Sequence, residues 1–274
     1  MNGLEPLPGG ERGPVDGRWQ QFVWPVVVFV GGVIAWDLVV RFNAIPPYIL
    51  PGPLLVGQTL IADWPILSAS LGVTLLTALQ GFIAAAIGGI ALALLFNQSK
   101  WLEYSLLPYA VVLQVTPVIA IAPLMLIYLP QEAAVVACAW IVAFFPVLAN
   151  TTLGLNSVDR NLKGLFQLNG ASSWQTLRYL QLPSALPYML GGLRIAGGLS
   201  LIGAVAAEIA AGAAGAGSGL AYRITESGYR LNIPRMFAAL LLLSVAGIVI
   251  YMLLALASHL MLRRWHESAL RKEK

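Results

Sequence analysis

Residues able to do acid–base, nucleophilic or metal chemistry are scarce in this chain. Its 274 residues hold two histidines, one cysteine and 12 Asp and Glu. Cys138 stands alone, which excludes an internal disulfide and a thiolate metal site. His259 lies late in the last apolar run and His266 in the charged tail, so no nucleophile–base pair or metal cluster forms among the apolar runs. Lys100, Lys163, Lys272 and Lys274 are the lysines, and none precedes Ser or Thr. The phosphate-binding pattern G-x-x-x-x-G-K-[ST] is therefore absent. The remaining candidates handle polar groups rather than break bonds. Glu208 ends an apolar run, as a pathway carboxylate or as a cap on the glycine-rich stretch after it. Arg194 stands near the start of the same run, where a snorkelling contact with phosphates is the simple reading. Gln114, Thr116, Pro117 and Pro123 put polar and helix-breaking residues inside another apolar run. Broken backbone of this kind is tolerated where it lines a cavity, so these four and Glu208 are the candidate pathway residues.

The elements that must hold them cross a membrane. Apolar residues make up 58% of the chain and charged residues 10%, too much apolar surface for a soluble protein of this length. A span needs about 20 apolar residues. Charge-poor runs predict six helices near 20–40, 69–96, 104–128, 132–153, 187–211 and 236–262. The expected fold is an all-α membrane protein. Residues 1–19 form a polar N-terminal tail and 263–274 a basic C-terminal tail, and the first helix has no cleavage site after it. With the N-terminus inside, only Arg41, Arg223, Arg230 and Arg235 of the 16 basic residues fall outside. The positive-inside rule then puts both termini in the cytoplasm. Short helices are expected outside, near 54–63 after Pro51 and Pro53 and after the glycines at 212–219. Asp37 and Arg41 are spaced for an ion pair. Gly88-Gly89 and Gly197-Gly198 are spaced for close helix packing.

The same orientation makes the loop at about 154–186 cytoplasmic. Leu162, Leu165, Phe166 and Leu168 repeat at near-helical spacing, and Asn169-Gly170 breaks that helix. Ala171, Ser172 and Ser173 can cap a second helix, with Trp174, Leu177 and Leu180 or Tyr179 on its apolar stripe. Pro183 and Pro187 are expected to end it and guide the chain into the next span. An apolar ridge on a cytoplasmic loop calls for a docked partner.

The pattern from Gly170 through Ala171, Ser172, Trp174, Leu182-Pro183 and Leu186-Pro187-Tyr188 to Gly192-Leu193-Arg194 resembles the signature loop of permease subunits of ABC importers. The family's usual Glu-Ala-Ala falls at Gly164, Leu165 and Phe166 here. Thr116 to Leu124 is similar to the family's proline-broken segment, and Gly203 to Glu208 to the end of its fifth span. The resemblance implies a type I importer permease-like fold, a non-catalytic subunit of six transmembrane helices with a cytoplasmic coupling helix, seated in the bacterial inner membrane. Leu165, Phe166, Gly170, Ala171, Ser172, Trp174, Leu177, Leu182 and Pro183 would then make the ATPase-coupling loop. Implied partners are ABC ATPase subunits, an extracytoplasmic substrate-binding protein, a second copy of the permease and the lipid bilayer, with no nucleic acid. No cofactor is expected on this chain, since ATP would be bound by the partner. Among importer permeases the chain resembles the branch serving nitrate, sulfonates, taurine and thiamine-precursor pyrimidines, and the loop from Leu165 to Ser172 leans towards the pyrimidine-precursor type. A stand-alone secondary transporter or channel is the alternative, and a membrane-embedded enzyme is weaker still.

Overall fold

The computed structural model describes residues 17–212 and 217–263. Residues 1–16 of the N-terminal tail, 264–274 of the basic tail and Gly215 lie outside them, so the reading of His266 has no counterpart there. The chain runs through α1 (Gly17–Phe42), α2 (Pro53–Ala62), α3 (Trp64–Gln98), α4 (Lys100–Val115), α5 (Val118–Tyr128), α6 (Gln131–Asn156), α7 (Arg160–Leu168), α8 (Ser173–Thr176), a π-helical turn (Leu177–Gln181), α9 (Leu182–Ala211), α10 (Leu220–Tyr229) and α11 (Ile233–Leu262). No strand occurs among the described residues. The short helices expected outside are α2 and α10.

Five helical stretches are long and apolar enough to cross a bilayer, and the pair α4–α5 makes a sixth. Their boundaries follow local chemistry. Pro53, Pro65 and Pro234 sit in first turns, where a missing N–H costs nothing. The Ser99 hydroxyl caps α4 by accepting from the Leu102 N–H at 3.5 Å. Gly212 ends α9 at φ +56°, the left-handed conformation that glycine tolerates.

Small residues set the packing, since lipid gives apolar side chains no drive to leave it. A Cβ on Gly203 of α9 would lie 2.8 Å from the Ala139 backbone of α6, and one on Gly89 of α3 would lie 2.9 Å from Val147 of α6. Gly81 and Gly192 meet α6 in the same way. Of the two glycine pairs expected to serve packing, Gly89 and Gly197 are in tight contact, Gly88 touches Phe144 at ordinary distance and Gly198 meets nothing. α6 therefore stands at the centre, with α3 and α9 against it.

These contacts also fix direction. Gly81 meets Ala139 and Gly89 meets Val147, so α3 and α6 run parallel. A parallel pair requires the segment between them to cross the bilayer. The α4–α5 pair, bent by 102° at Thr116-Pro117, is thus one broken span and not a re-entrant loop. α9 runs antiparallel to α6, through Gly203 at Ala139 and Gly192 at Asn150, and α11 antiparallel to α9, through Gly197 at Leu254 and Gly247 at Leu201. Near its end α1 meets the start of α11, where the Trp36 and Phe237 rings lie 5.9 Å apart. The start of α1, the 157–172 loop and the end of α11 therefore share one face of the bundle.

Candidate functional site

The loop between α6 and α9 is built by local hydrogen bonds. The Asp159 carboxylate opens α7 by accepting from the Asn161 N–H at 2.7 Å. The helix closes in a Schellman motif, in which the Ala171 N–H donates to the Phe166 carbonyl and the Gly170 N–H to the Gln167 carbonyl, both at 3.0 Å. That closure needs Gly170 at φ +72°. Ser172 and Gln175 then form a reciprocal capping box at 3.2 and 2.7 Å, which opens α8. The bend is thus specified by three consecutive devices. It holds Leu162, Leu165, Leu168 and Trp174 in the open, with Leu168 88% exposed and Trp174 60%. Phe166 and Ala171 are half-buried beside them.

Leu177 differs from its neighbours. It is 3% exposed and joins the interior cluster with Leu155 and Ala185. Leu182 packs partly against that cluster, and Pro183 is half-buried at the first turn of α9. These three lie behind the ridge, where they join the loop to the bundle.

The prolines do not end the loop helix. Helical backbone runs unbroken from Ser173 to Ala211, so the second loop helix and the fifth span are one rod. The π-helical turn explains this. Pro183 has no N–H for the Tyr179 carbonyl. The chain widens by one residue over 177–181, and the Leu182 N–H reaches back to the Leu177 carbonyl. Inside this turn Gln181 is buried and exchanges hydrogen bonds with Asn97 of α3, Nδ2 to Oε1 and Nε2 to Oδ1, each 3.0 Å. Its Nε2 also donates to the Leu155 carbonyl of α6 at 3.3 Å. The joint thus ties the loop rod to α3 and α6. Sequence reasoning passed over both amides. A lone Gln between Leu180 and Leu182 was the available signal.

A cavity of ≈ 290 Å³ opens beside the break between α4 and α5. Gln114, Thr116, Val142 of α6 and Leu199 of α9 line it. The Thr116 hydroxyl donates to the Val112 carbonyl at 2.6 Å. Pro117 makes the break, as the residue before α5, and Pro123 sits on the exposed side of α5. Four of the five pathway candidates therefore gather on the broken span.

The fifth, Glu208, lies elsewhere. It is 6% exposed, and its Oε2 accepts from the Thr74 hydroxyl at 3.0 Å and from the Ala221 N–H at 3.1 Å. The Leu220 N–H donates to the Thr74 oxygen at 2.8 Å. Carboxylate and hydroxyl together cap the first two residues of α10, and the Glu208 carboxyl packs against Gly219. The capping role is the one its contacts fulfil. Nearby, Arg235 of α11 grips Asp63 with two bonds of 2.6 and 3.0 Å, and Arg223 of α10 holds Ser70 of α3 at 3.0 Å. Arg194 meets an aromatic ring. Its guanidinium lies over the Tyr251 ring of α11, 5.9 Å from the centroid, with Nε buried. Asp37 and Arg41 pair at 2.7 Å.

Residues 85–264 match the family described as binding-protein-dependent transport system inner membrane component. The chain is 33% identical over 259 residues to a riboflavin transport system permease protein of Chloroflexus aurantiacus, covering 91% of this chain and 94% of the relative. It is 32% identical over 234 residues to a formylaminopyrimidine transport permease protein of Halalkalibacterium halodurans, covering 85% and 92%. A nitrate import permease protein of Synechocystis sp. matches at 32% over 171 residues, covering 62% and 61%. Among solved structures, an amino acid ABC transporter aligns with a TM-score of 0.62 at 19% identity, over 74% of this chain and 97% of that one. That likeness concerns the fold.

Proposed function

This chain belongs to the inner-membrane components of binding-protein-dependent transport systems, the permease subunits of ABC importers, and from that premise we propose that two copies of it enclose the translocation pathway and couple it to separate ATPases through the 162–183 loop. As a permease it is a multi-pass membrane protein and not itself a catalyst.

The observation that carries the coupling reading is the loop itself. Leu162, Leu165, Leu168 and Trp174 are exposed apolar side chains on a bend fixed by Gly170 and Ser172. A flexible loop would transmit nothing. This one continues into α9 without a break and is fastened by Gln181 to α3 and α6. Arg160, Lys163 and Arg178 around it support a cytoplasmic placement of the loop and of both termini. An ATPase groove that closes on ATP would push the ridge, and the rod would carry the displacement into the bundle. An extracytoplasmic binding protein would deliver the solute at the opposite face.

The substrate is a small polar molecule. The names of the relatives point to riboflavin, a formylaminopyrimidine, nitrate or aliphatic sulfonates.

The test is co-purification and uptake. ATP-dependent uptake into proteoliposomes should require the partner ATPase, and transport in its absence would sink the importer reading. Within that assay Gly170→Val should lose the ATPase. The site has open space around it but a positive φ that a β-branched residue resists by about 1–2 kcal/mol. Gly170→Asn, which tolerates that conformation, should keep it.

A further inference from the structure

We propose that the cavity at the break of the third span is a substrate station for an uncharged, planar solute that both donates and accepts hydrogen bonds, a nitrogen heterocycle of pyrimidine type rather than an inorganic or sulfonate anion. The inference rests on the importer reading and narrows its substrate class.

Depth comes first. Ile141 and Pro146 line the cavity from α6, a helix spanning Gln131–Asn156. Ile141 is ten residues from one end and Pro146 ten from the other, so each lies about 15 Å from its end of the helix. The station sits near the middle of the bilayer.

Two residues that border it have carbonyls released by prolines. The Leu113 carbonyl of α4 would accept from residue 117 in an unbroken helix, and the Val142 carbonyl of α6 from residue 146. Both positions are proline and carry no N–H. All of Leu113, Val142 and Pro146 line the cavity. Two carbonyls without their helical donors therefore flank one space, from two different helices. On its third side α5 begins. Its first turn bonds start with Ala120 and Ile121, both donating to the Pro117 carbonyl, which leaves the Val118 N–H ahead of the ladder. Gln114 adds an amide that donates and accepts. Backbone groups released at this depth need partners, and a solute in the cavity can supply them. The bordering residues thus bring two released carbonyls, one N–H and one side-chain amide to the same space, with Leu199 and Ile141 as apolar neighbours. A ring bearing carbonyl and amino groups satisfies such a set.

Charge weighs against the anions. Among the described residues of one copy no Lys, Arg or His lines the cavity, and an anion desolvated without a cation is heavily penalised. The cation on the neighbouring helix is Arg194, five residues before Leu199. Five residues turn about 140° around a helix, and the Arg194 guanidinium accordingly lies over Tyr251 of α11. The volume of ≈ 290 Å³ suits one or two fused rings.

The experiment uses the assembled transporter, with its ATPase and binding protein, in proteoliposomes. A formylaminopyrimidine, riboflavin, nitrate and an alkanesulfonate are supplied separately, and uptake and ATP hydrolysis are read together. Uptake of the formylaminopyrimidine is expected, and uptake confined to riboflavin, with three fused rings, would overturn the assigned size. Gln114→Leu, which removes the amide, and Leu199→Trp, which fills the space, should each lower solute moved per ATP about tenfold, the worth of one or two hydrogen bonds. Gln114→Asn should recover most of it. Gel filtration checks that each variant still assembles, and the Trp variant carries the test if the Leu variant does not. Uptake confined to nitrate or the sulfonate would overturn the station's chemistry and leave the importer standing. So would heterocycle uptake that neither variant diminishes. Absence of ATP-dependent uptake of all four would take down the importer reading and the station with it.

Discussion

At the α10 end of the bundle, the Glu208 carboxylate and the Thr74 hydroxyl hold α10 by its first two N–H groups. At the loop end, two neutral amides, Asn97 and Gln181, tie α3 to the turn that leads into α9. Both fasteners join distant parts of the chain, the first buried and the second half-buried at Asn97. Their chemistry differs in what parting would involve. A buried carboxylate stripped of its donors carries a large desolvation penalty. A neutral amide pair that opens can exchange its partners for water at small net expense. The α10 end, with the Asp63–Arg235 clamp beside it, is thus built to stay closed. The loop end is built to hold firm while remaining able to rearrange, as a joint that carries motion must.

The largest expected effect tests the first half of that contrast. Glu208→Ala should lower stability by about 3 kcal/mol, because it orphans the Ala221 N–H and the Thr74 hydroxyl in a buried setting. Thr74→Val should approach the same loss, since it leaves both the Leu220 N–H and the carboxylate short of a partner. Thermal melting in detergent checks both. A Glu208→Ala protein that melts with the parent would remove the carboxylate from the fastening role.

A smaller loss is expected at the joint, with a sharper functional signature. Gln181→Leu should cost about 1–2 kcal/mol by stranding the Asn97 amide. The double variant Asn97→Leu/Gln181→Leu should regain part of this, because two apolar groups strand nothing. In both, ATP hydrolysis should continue while solute moved per ATP falls. A double variant no more stable than the single one would show that the reciprocal amide pair is not what holds the joint.

How much of this contrast could be read in advance depended on distance along the chain. The six crossings, the bend at Gly170 and the cap at Ser172 were legible, because hydropathy and turn chemistry act within a few residues. The break at Pro117 was legible for the same reason. Glu208 was visible as a carboxylate, but its partner Thr74 lies in another span, and only folding joins them. Gln181 and Asn97 escaped notice for that reason too. The misjudged element was the rod from Ser173 to Ala211. Pro183 and Pro187 argue locally for a helix end, and the widened turn at 177–181 that lets the helix pass Pro183 leaves no local signature. Leu177 shows the limit of periodicity: it shares the apolar stripe of Trp174, yet it faces the core while Trp174 faces out.

The smallest stability effect belongs to that last pair and divides the loop by face. Trp174→Ala removes a side chain that is 60% exposed and touches no interior cluster, so stability should shift by no more than about 0.5 kcal/mol. Leu177→Ala empties a buried site and should cost about 2–4 kcal/mol. If the ridge is what a partner grips, association follows the opposite order. Trp174→Ala should lose the ATPase on co-purification while melting like the parent. Leu177→Ala should melt lower while a fraction that remains folded still binds. The two readouts must therefore cross. A Trp174→Ala protein that keeps its ATPase would confine the grip to α7, where Leu165 and Leu168 stand exposed. Retention in a Leu165→Asp/Leu168→Asp variant as well would leave the ridge without a docking role.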